Sequence, residues 1–218
     1  MKTHTTIGYK ICMNDLKLRP YAAGPLYHHE ALNGTGYPQG LTKKDIPYEG
    51  QIIRVADEYD AIVSKRQYKS HIGITDTIKI LIDNTKPFSN VDSSVAVKYL
   101  SENAKLGKDN PIIVKALISV VIEDINYEIS CSLDYLSNLE STIKRLKIAK
   151  DYNDKMLKAS NDKKRQYYFE GVKSYLAPEE TPENFENVLS EYVIAYDNKK
   201  AHIAHLQDEI KKIKKLRV

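Results

Sequence analysis

Apolar residues recur at three- and four-residue steps through most of the chain, which predicts helices. Ile52, Ile53, Ala56, Tyr59 and Val63 follow this step, with Asp60 beside them, and predict a helix over 49–64. Ile7 to Leu18 reads as a shorter helix, broken by Pro20 and by Gly24-Pro25. Thr75 stands where it would cap a helix through Ile78, Leu81 and Ile82. Residues 91–100 and 111–122 predict two more. No stretch alternates apolar and polar positions as a half-buried strand does, so the expected fold class is all-α.

The composition shifts near residue 126. Leu133, Leu136, Leu139, Ile143 and Leu146 line one face of an amphipathic helix. A turn at 177–182 follows, where Thr181 would cap a helix with Pro182 in its first position. Val188, Leu189, Tyr192, Val193, Tyr196, Ile203, Leu206, Ile210 and Ile213 carry the last helix. The expected organisation is a first domain over 1–125 and a helical extension over 126–218. The extension reads as an antiparallel hairpin or short coiled coil, suited to forming a homodimer.

Charge and composition remove several alternatives. The 218 residues carry a net charge of +4, with 28% charged positions. No apolar run approaches the roughly 18–20 residues of a membrane span. The basic tail Lys211-Lys212-Ile213-Lys214-Lys215-Leu216-Arg217 lies in no recognisable nucleic-acid motif, so it reads as a solvated helix face and no DNA or RNA partner is expected. His202 and His205 have ligand spacing but no third ligand nearby, and read as an exposed polar face. Cys12 and Cys131 have no metal-site spacing, which suits a reducing cytoplasm.

The chemistry concentrates between His28 and Lys69. His28-His29-Glu30 is followed by the turn Asn33-Gly34-Thr35-Gly36-Tyr37-Pro38, then by the apolar run ending at Asp57, then by Arg66, Tyr68 and Lys69. Histidine and aspartate are ligand types of hydrolytic metal centres, and Arg and Lys are phosphate-binding types. Adjacent positions on a helix point about 100° apart, so His28 and His29 would more easily serve two neighbouring ions, or an ion and a phosphate. Asp57 is the candidate carboxylate. Asp60, three residues on, would orient a ligand from behind.

These motifs resemble the HD-GYP domain, a branch of the HD-domain phosphohydrolases that hydrolyses cyclic di-GMP. The matching elements are His28-His29-Glu30, Gly36-Tyr37-Pro38, Gly40-Leu41, Ile46-Pro47, Val55-Ala56-Asp57, Asp60-Ala61 and Arg66-Gln67-Tyr68-Lys69. They follow in family order over about residues 1–125. His4, with Gly8 after it, resembles a further ligand segment. The resemblance implies a partial HD helical bundle, with His4, His28, His29 and Asp57 as metal ligands. It implies substrate contacts from Tyr37, Arg66 and Lys69, and supporting roles for Glu30 and Asp60. The metal it implies is Fe or Mn, two or three ions bridged by a carboxylate and a hydroxide. The substrate it implies is cyclic di-GMP or a related cyclic dinucleotide. Three departures stand against the pattern. No His-Asp dipeptide occurs anywhere, Gln51 replaces the usual arginine, and Gln67 replaces the proline of the RPYK motif. The expectation is therefore a domain whose HD pair lies upstream or on another chain, weak or inactive alone. A non-catalytic nucleotide- or protein-binding domain, or a helical scaffold with a vestigial site, are the alternatives.

Overall fold

The computed structural model describes residues 2–64, 72–87 and 106–218. Among them there is no strand; the only bridge pairs Asn33 with Thr42. The helices are α1 (His4–Asn14), α2 (Ala23–Tyr27), α3 (Tyr48–Val63), α4 (Ile74–Asn84), α5 (Pro111–Leu157), α6 (Asp162–Ser174) and α7 (Phe185–Ile213), with a 3-10 turn over Arg19–Tyr21. The all-α class holds. The predicted helix over 91–100 lies outside the described residues.

Two compact units share this chain. The first comprises Met1–Glu123 with Glu209–Val218, and the second Asp124–Asp208. In the first unit, α1 packs on α2, α2 on α3, and α3 on α4. Small residues set the spacing: a Cβ on Gly24 would stand 2.7 Å from Ile53 Cδ1, and one on Gly50 2.8 Å from Tyr27 Cβ. Helices approach closely where such positions meet. Leu26, Leu32, Ile46, Val55, Ile78, Leu81, Ile82 and Val114 are buried within this unit. The last turn of α7 belongs to it as well, with Ile210 and Ile213 buried.

Several boundaries differ from the sequence reading, for local reasons. α1 begins at His4 and ends at Asn14, so the helix starts and stops earlier than expected, and α2 is an extra short helix before His28. Thr75 does not cap α4. Gly73 is the N-cap, and Thr75 sits in the first turn, where its hydroxyl donates to Glu209 Oε2 at 2.7 Å and its N–H lies 3.4 Å from the same oxygen. A carboxylate from the other end of the chain thus does what a local cap does elsewhere. α5 runs on without a Gly or Pro after Pro111, joining two stretches that read as separate helices.

The second unit contains α6 besides the two helices expected. Asn161 caps α6, its side chain accepting from Lys164 N–H at 2.9 Å. Thr181 is not the cap of α7, which begins at Phe185; the Asn184 side chain accepts from Thr181 N–H instead. Ile143, Leu146, Ala149, Val172, Phe185 and Leu189 form the core, flanked by Tyr152, Tyr192 and Tyr196. Arg145 clasps the connection between α6 and α7. It donates to both carboxylate oxygens of the nearly buried Glu180, at 2.6 and 2.7 Å, and to the Tyr175 carbonyl. His202 Nε2 lies 2.7 Å from Glu128 Oε1, a surface pair with no third ligand among the described residues.

Candidate metal centre

His4 is the first residue of α1, and α2 ends at Tyr27, just before His28 and His29. The turn after α2 keeps helix-type bonds, His28 N–H to the Gly24 carbonyl at 3.2 Å and Glu30 N–H to the Tyr27 carbonyl at 2.9 Å, yet the two adjacent imidazoles converge. Their ring centroids lie 4.2 Å apart, and those of His4 lie 5.3 Å from His28 and 4.9 Å from His29. One ligand nitrogen from each ring falls within 4.8 Å of the others.

The tautomer of His28 follows from its neighbours. Its Nδ1 lies 2.9 Å from the Pro25 carbonyl and 3.1 Å from the Gly24 carbonyl. Carbonyls only accept, so Nδ1 carries the proton and Nε2 presents a lone pair. That Nε2 lies 3.2 Å from His4 Nε2. A backbone carbonyl behind a histidine is the usual support for a metal ligand. An ion held by three imidazoles at about 2.1 Å keeps the nitrogens roughly 3–3.5 Å apart, so small side-chain shifts would close this cluster on one cation. Burial first, then the neighbouring His28, pushes the His29 imidazole down to about 4, against the opposing charge of Asp57. A neutral imidazole has no proton to shed before binding a cation. The donor set therefore fits a divalent ion.

The loop after His29 is latched to it. Glu30 is buried, and its two carboxylate oxygens accept from Gln39 N–H at 2.7 Å and Leu41 N–H at 2.9 Å. Tyr37 N–H donates to the His29 carbonyl at 3.1 Å. Gly34 takes φ of 80°, and Asn33 Oδ1 accepts from the Thr35 hydroxyl at 2.7 Å. This places the Tyr37 ring on His29, with centroids 4.7 Å apart and planes 26° from parallel. Burial, then the charge of Asp57, raises the Tyr37 phenol, which stays protonated.

The other predicted residues are placed differently. The Asp57 carboxylate, exposed on α3, stands outside the three-imidazole cluster, though its charge reaches His29 and Tyr37. Asp60 accepts from the Ser64 hydroxyl at 3.0 Å at the end of α3. Arg66 and Lys69 lie outside the described residues.

The HD domain family model matches residues 1–95. A cyclic di-GMP phosphodiesterase of Thermotoga maritima is 49% identical over 72 residues, covering 32% of this chain and 20% of that protein. The cyclic di-GMP phosphodiesterase response regulator RpfG of Xanthomonas campestris is 42% identical over 71 residues, 32% of this chain and 19% of that one. A 3'3'-cGAMP-specific phosphodiesterase 3 of Vibrio cholerae is 39% identical over 57 residues, 26% of this chain and 12% of that one. Residues 1–95 thus resemble an HD domain, and the relatives matched over part of that span are cyclic dinucleotide phosphodiesterases. The aligned part spans about a fifth of the length of the first two relatives. HD-domain phosphohydrolases use divalent metals, and the three histidines all lie inside the matched segment.

A buried polar network supports the segment from behind, and the sequence reading passed over it. Arg54 Nε donates to Asp109 Oδ1 at 2.6 Å, Asn84 Nδ2 to Glu58 Oε1 at 2.5 Å, and Asn110 Nδ2 to Gln51 Oε1 at 2.8 Å. Gln51 in turn donates to the Ile46 carbonyl at 3.0 Å. Gln51 thus pairs with a neutral amide. The one available signal was Arg54 itself, a charge inside an apolar run. Glu58 Oε2 and Asp109 Oδ2 are buried without hydrogen-bond partners. One proton shared between the two carboxyls satisfies both. Accordingly, burial first and then Asp109 raise Glu58 to about 7, against Arg54.

This has a pH consequence. An ordinary glutamate at 4.5 loses its proton on unfolding well before native Glu58 does at about 7. Between these values the folded state holds the extra proton, so stability from this group is full below 4.5 and is lost as pH rises to about 7. Thermal unfolding of the chelator-treated chain is expected to show Glu58→Gln gaining on the wild type by on the order of 2 kcal/mol between about pH 5 and pH 8. Parallel pH profiles for the two proteins would refute the shared proton.

Proposed function

We propose that this chain carries the metal-binding and substrate-facing part of a metal-dependent phosphodiesterase acting on a cyclic dinucleotide, cyclic di-GMP first. The observation that carries this reading is the convergence of His4, His28 and His29 beneath the latched Tyr37 loop. His28 is held in the tautomer a ligand needs, and His29 is neutral at working pH. Asp57 brings negative charge to the side of the cluster. Arg66 and Lys69 take the substrate phosphates, and Tyr37 stands beside the cluster on the substrate's side. A divalent ion held by the triad supplies Lewis-acid stabilisation of phosphate charge. Iron or manganese is the ion that the resemblance implies.

The three clustered ligands are all imidazoles. We propose that the bridging carboxylate comes from an HD-bearing segment or chain, and that the helices of the second unit pair two copies. The free thiols Cys12 and Cys131 fit a cytoplasmic setting. That no carboxylate joins the cluster among the described residues also favours a second reading, a nucleotide-binding domain without turnover. Incubation of the manganese- or iron-loaded chain with cyclic di-GMP separates the two. Slow, chelator-sensitive appearance of linear dinucleotide supports the enzyme. Metal-dependent binding without product supports the second reading. Neither binding nor product would remove both.

A further inference from the structure

We infer that Tyr37 is a positioning residue for His29, holding the imidazole by ring stacking in place of the hydrogen bond that holds its neighbour. The contrast between the two adjacent histidines carries the argument. His28 is fixed through Nδ1 by two backbone carbonyls, at 2.9 and 3.1 Å. Among the described residues His29 makes no such bond; its ring lies against Tyr37, with centroids 4.7 Å apart and planes 26° from parallel. Offset or tilted stacking at this separation is favourable and restricts the rotation of the ring. A ligand that can rotate loses orientation, which a metal site must then restore on binding.

The loop is built to keep Tyr37 there. Tyr37 N–H donates to the carbonyl of His29 itself, so the two residues are tied by backbone and by ring. Glu30, the next residue along, accepts from Gln39 N–H and Leu41 N–H and fixes the far side of the same turn. Gly36 leaves no space between the two strands of the loop: a Cβ would stand 2.3 Å from Ala31 N and 2.5 Å from His29 O. The His4 ring stands edge-on to Tyr37 with centroids 6.4 Å apart, so the same tyrosine borders two of the three imidazoles. A tyrosine serving substrate alone would need none of these ties to His29.

The inference rests on the metal-centre reading only for its metal readout, so the test has two parts. The first is metal-free. In the full chain, the His29 ring resonances are expected to move on Tyr37→Leu while those of His28 stay, and Tyr37→Phe should leave both in place. Unchanged His29 ring signals in Tyr37→Leu overturn the proposal. If Tyr37→Leu fails to fold, ring-to-ring nuclear Overhauser contacts between residues 37 and 29 in the wild type and in Tyr37→Phe decide instead, and their absence overturns it. The second part titrates Co2+ and Zn2+. Tyr37→Leu is expected to weaken binding about ten- to a hundredfold, and Tyr37→Phe by less than about twofold. In a His29→Ala background, Tyr37→Leu should cost nothing further. An equal loss in that background would show that Tyr37 acts on something other than His29. If the wild-type chain takes up neither ion, the metal-centre reading fails, while the ring signals still decide this one.

Discussion

Gly36→Ala is expected to destabilise the first unit by more than about 3 kcal/mol, or to leave the loop detached from His29. The added methyl group would lie 2.3 Å from Ala31 N, 2.5 Å from Glu30 Cα and 2.5 Å from His29 O. All three neighbours are backbone, and the Glu30 carboxylate pins the adjoining strand to Gln39 and Leu41. Nothing there can move by rotating a side chain, so relief must come from opening the loop. Opening it removes Tyr37 from His29 and exposes Glu30. Two other glycines give the scale. Gly40 has φ of +68° and 3.4 Å to the nearest atom, so Gly40→Ala is expected to cost about 1 kcal/mol, from backbone conformation. Gly73 has open space, so Gly73→Ala should cost only what alanine costs as an N-cap, about 0.5–1 kcal/mol. Chemical denaturation of the three variants checks the order. A Gly36→Ala protein as stable as Gly73→Ala would mean that the loop is not packed as described.

Much of this site was legible in the sequence because its residues punctuate it. The Gly-Thr-Gly-Tyr-Pro turn directly after His-His-Glu announces a loop beside ligands, and that loop is found. The role of Glu30 was not legible. Its partners are the N–H groups of Gln39 and Leu41, which every residue but proline carries, so no side chain advertises the pairing. The convergence of His28 and His29 was hidden too, since it depends on how the two rings turn within the bend after α2, which periodicity does not report. The buried set of Arg54, Glu58, Asn84 and Asp109 joins α3 to residues up to 55 positions away, and helical periodicity carries no information about such partners. Helix existence was the easy part. The ends were set elsewhere: Glu209 satisfies the start of α4 from the opposite end of the chain. α6 carries a strongly polar sequence with only a narrow apolar stripe, which is why its periodicity was faint.

His28→Ala should lower divalent-metal affinity by at least about a hundredfold, beyond the usual loss from removing a supporting group. The reason is its central place: its Nε2 lies 3.2 Å from His4 Nε2, and its ring lies 4.2 Å from that of His29. Without it, two imidazoles remain, and the ligand that the Gly24 and Pro25 carbonyls orient is gone. His202→Ala is the matched control. That histidine pairs with Glu128 outside the metal cluster, so its loss should leave metal affinity unchanged. Competition against a chromophoric chelator reads both. Equal affinity of wild type and His28→Ala would show that any bound ion sits elsewhere. Stability is expected to follow affinity, because an ion that binds only the folded state raises the melting temperature by mass action. The thermal shift on adding Mn2+ or Zn2+ should therefore appear in the wild type and vanish in His28→Ala.

The measurement that bears most directly on the central claim is calorimetric titration of cyclic di-GMP into the full chain, once loaded with Mn2+ and once stripped by chelator. The account predicts binding to the loaded chain, at least about tenfold weaker or absent in the stripped one, and the same loss in loaded His28→Ala. Equal binding with and without metal, or none to a chain shown to hold its ion, would contradict it.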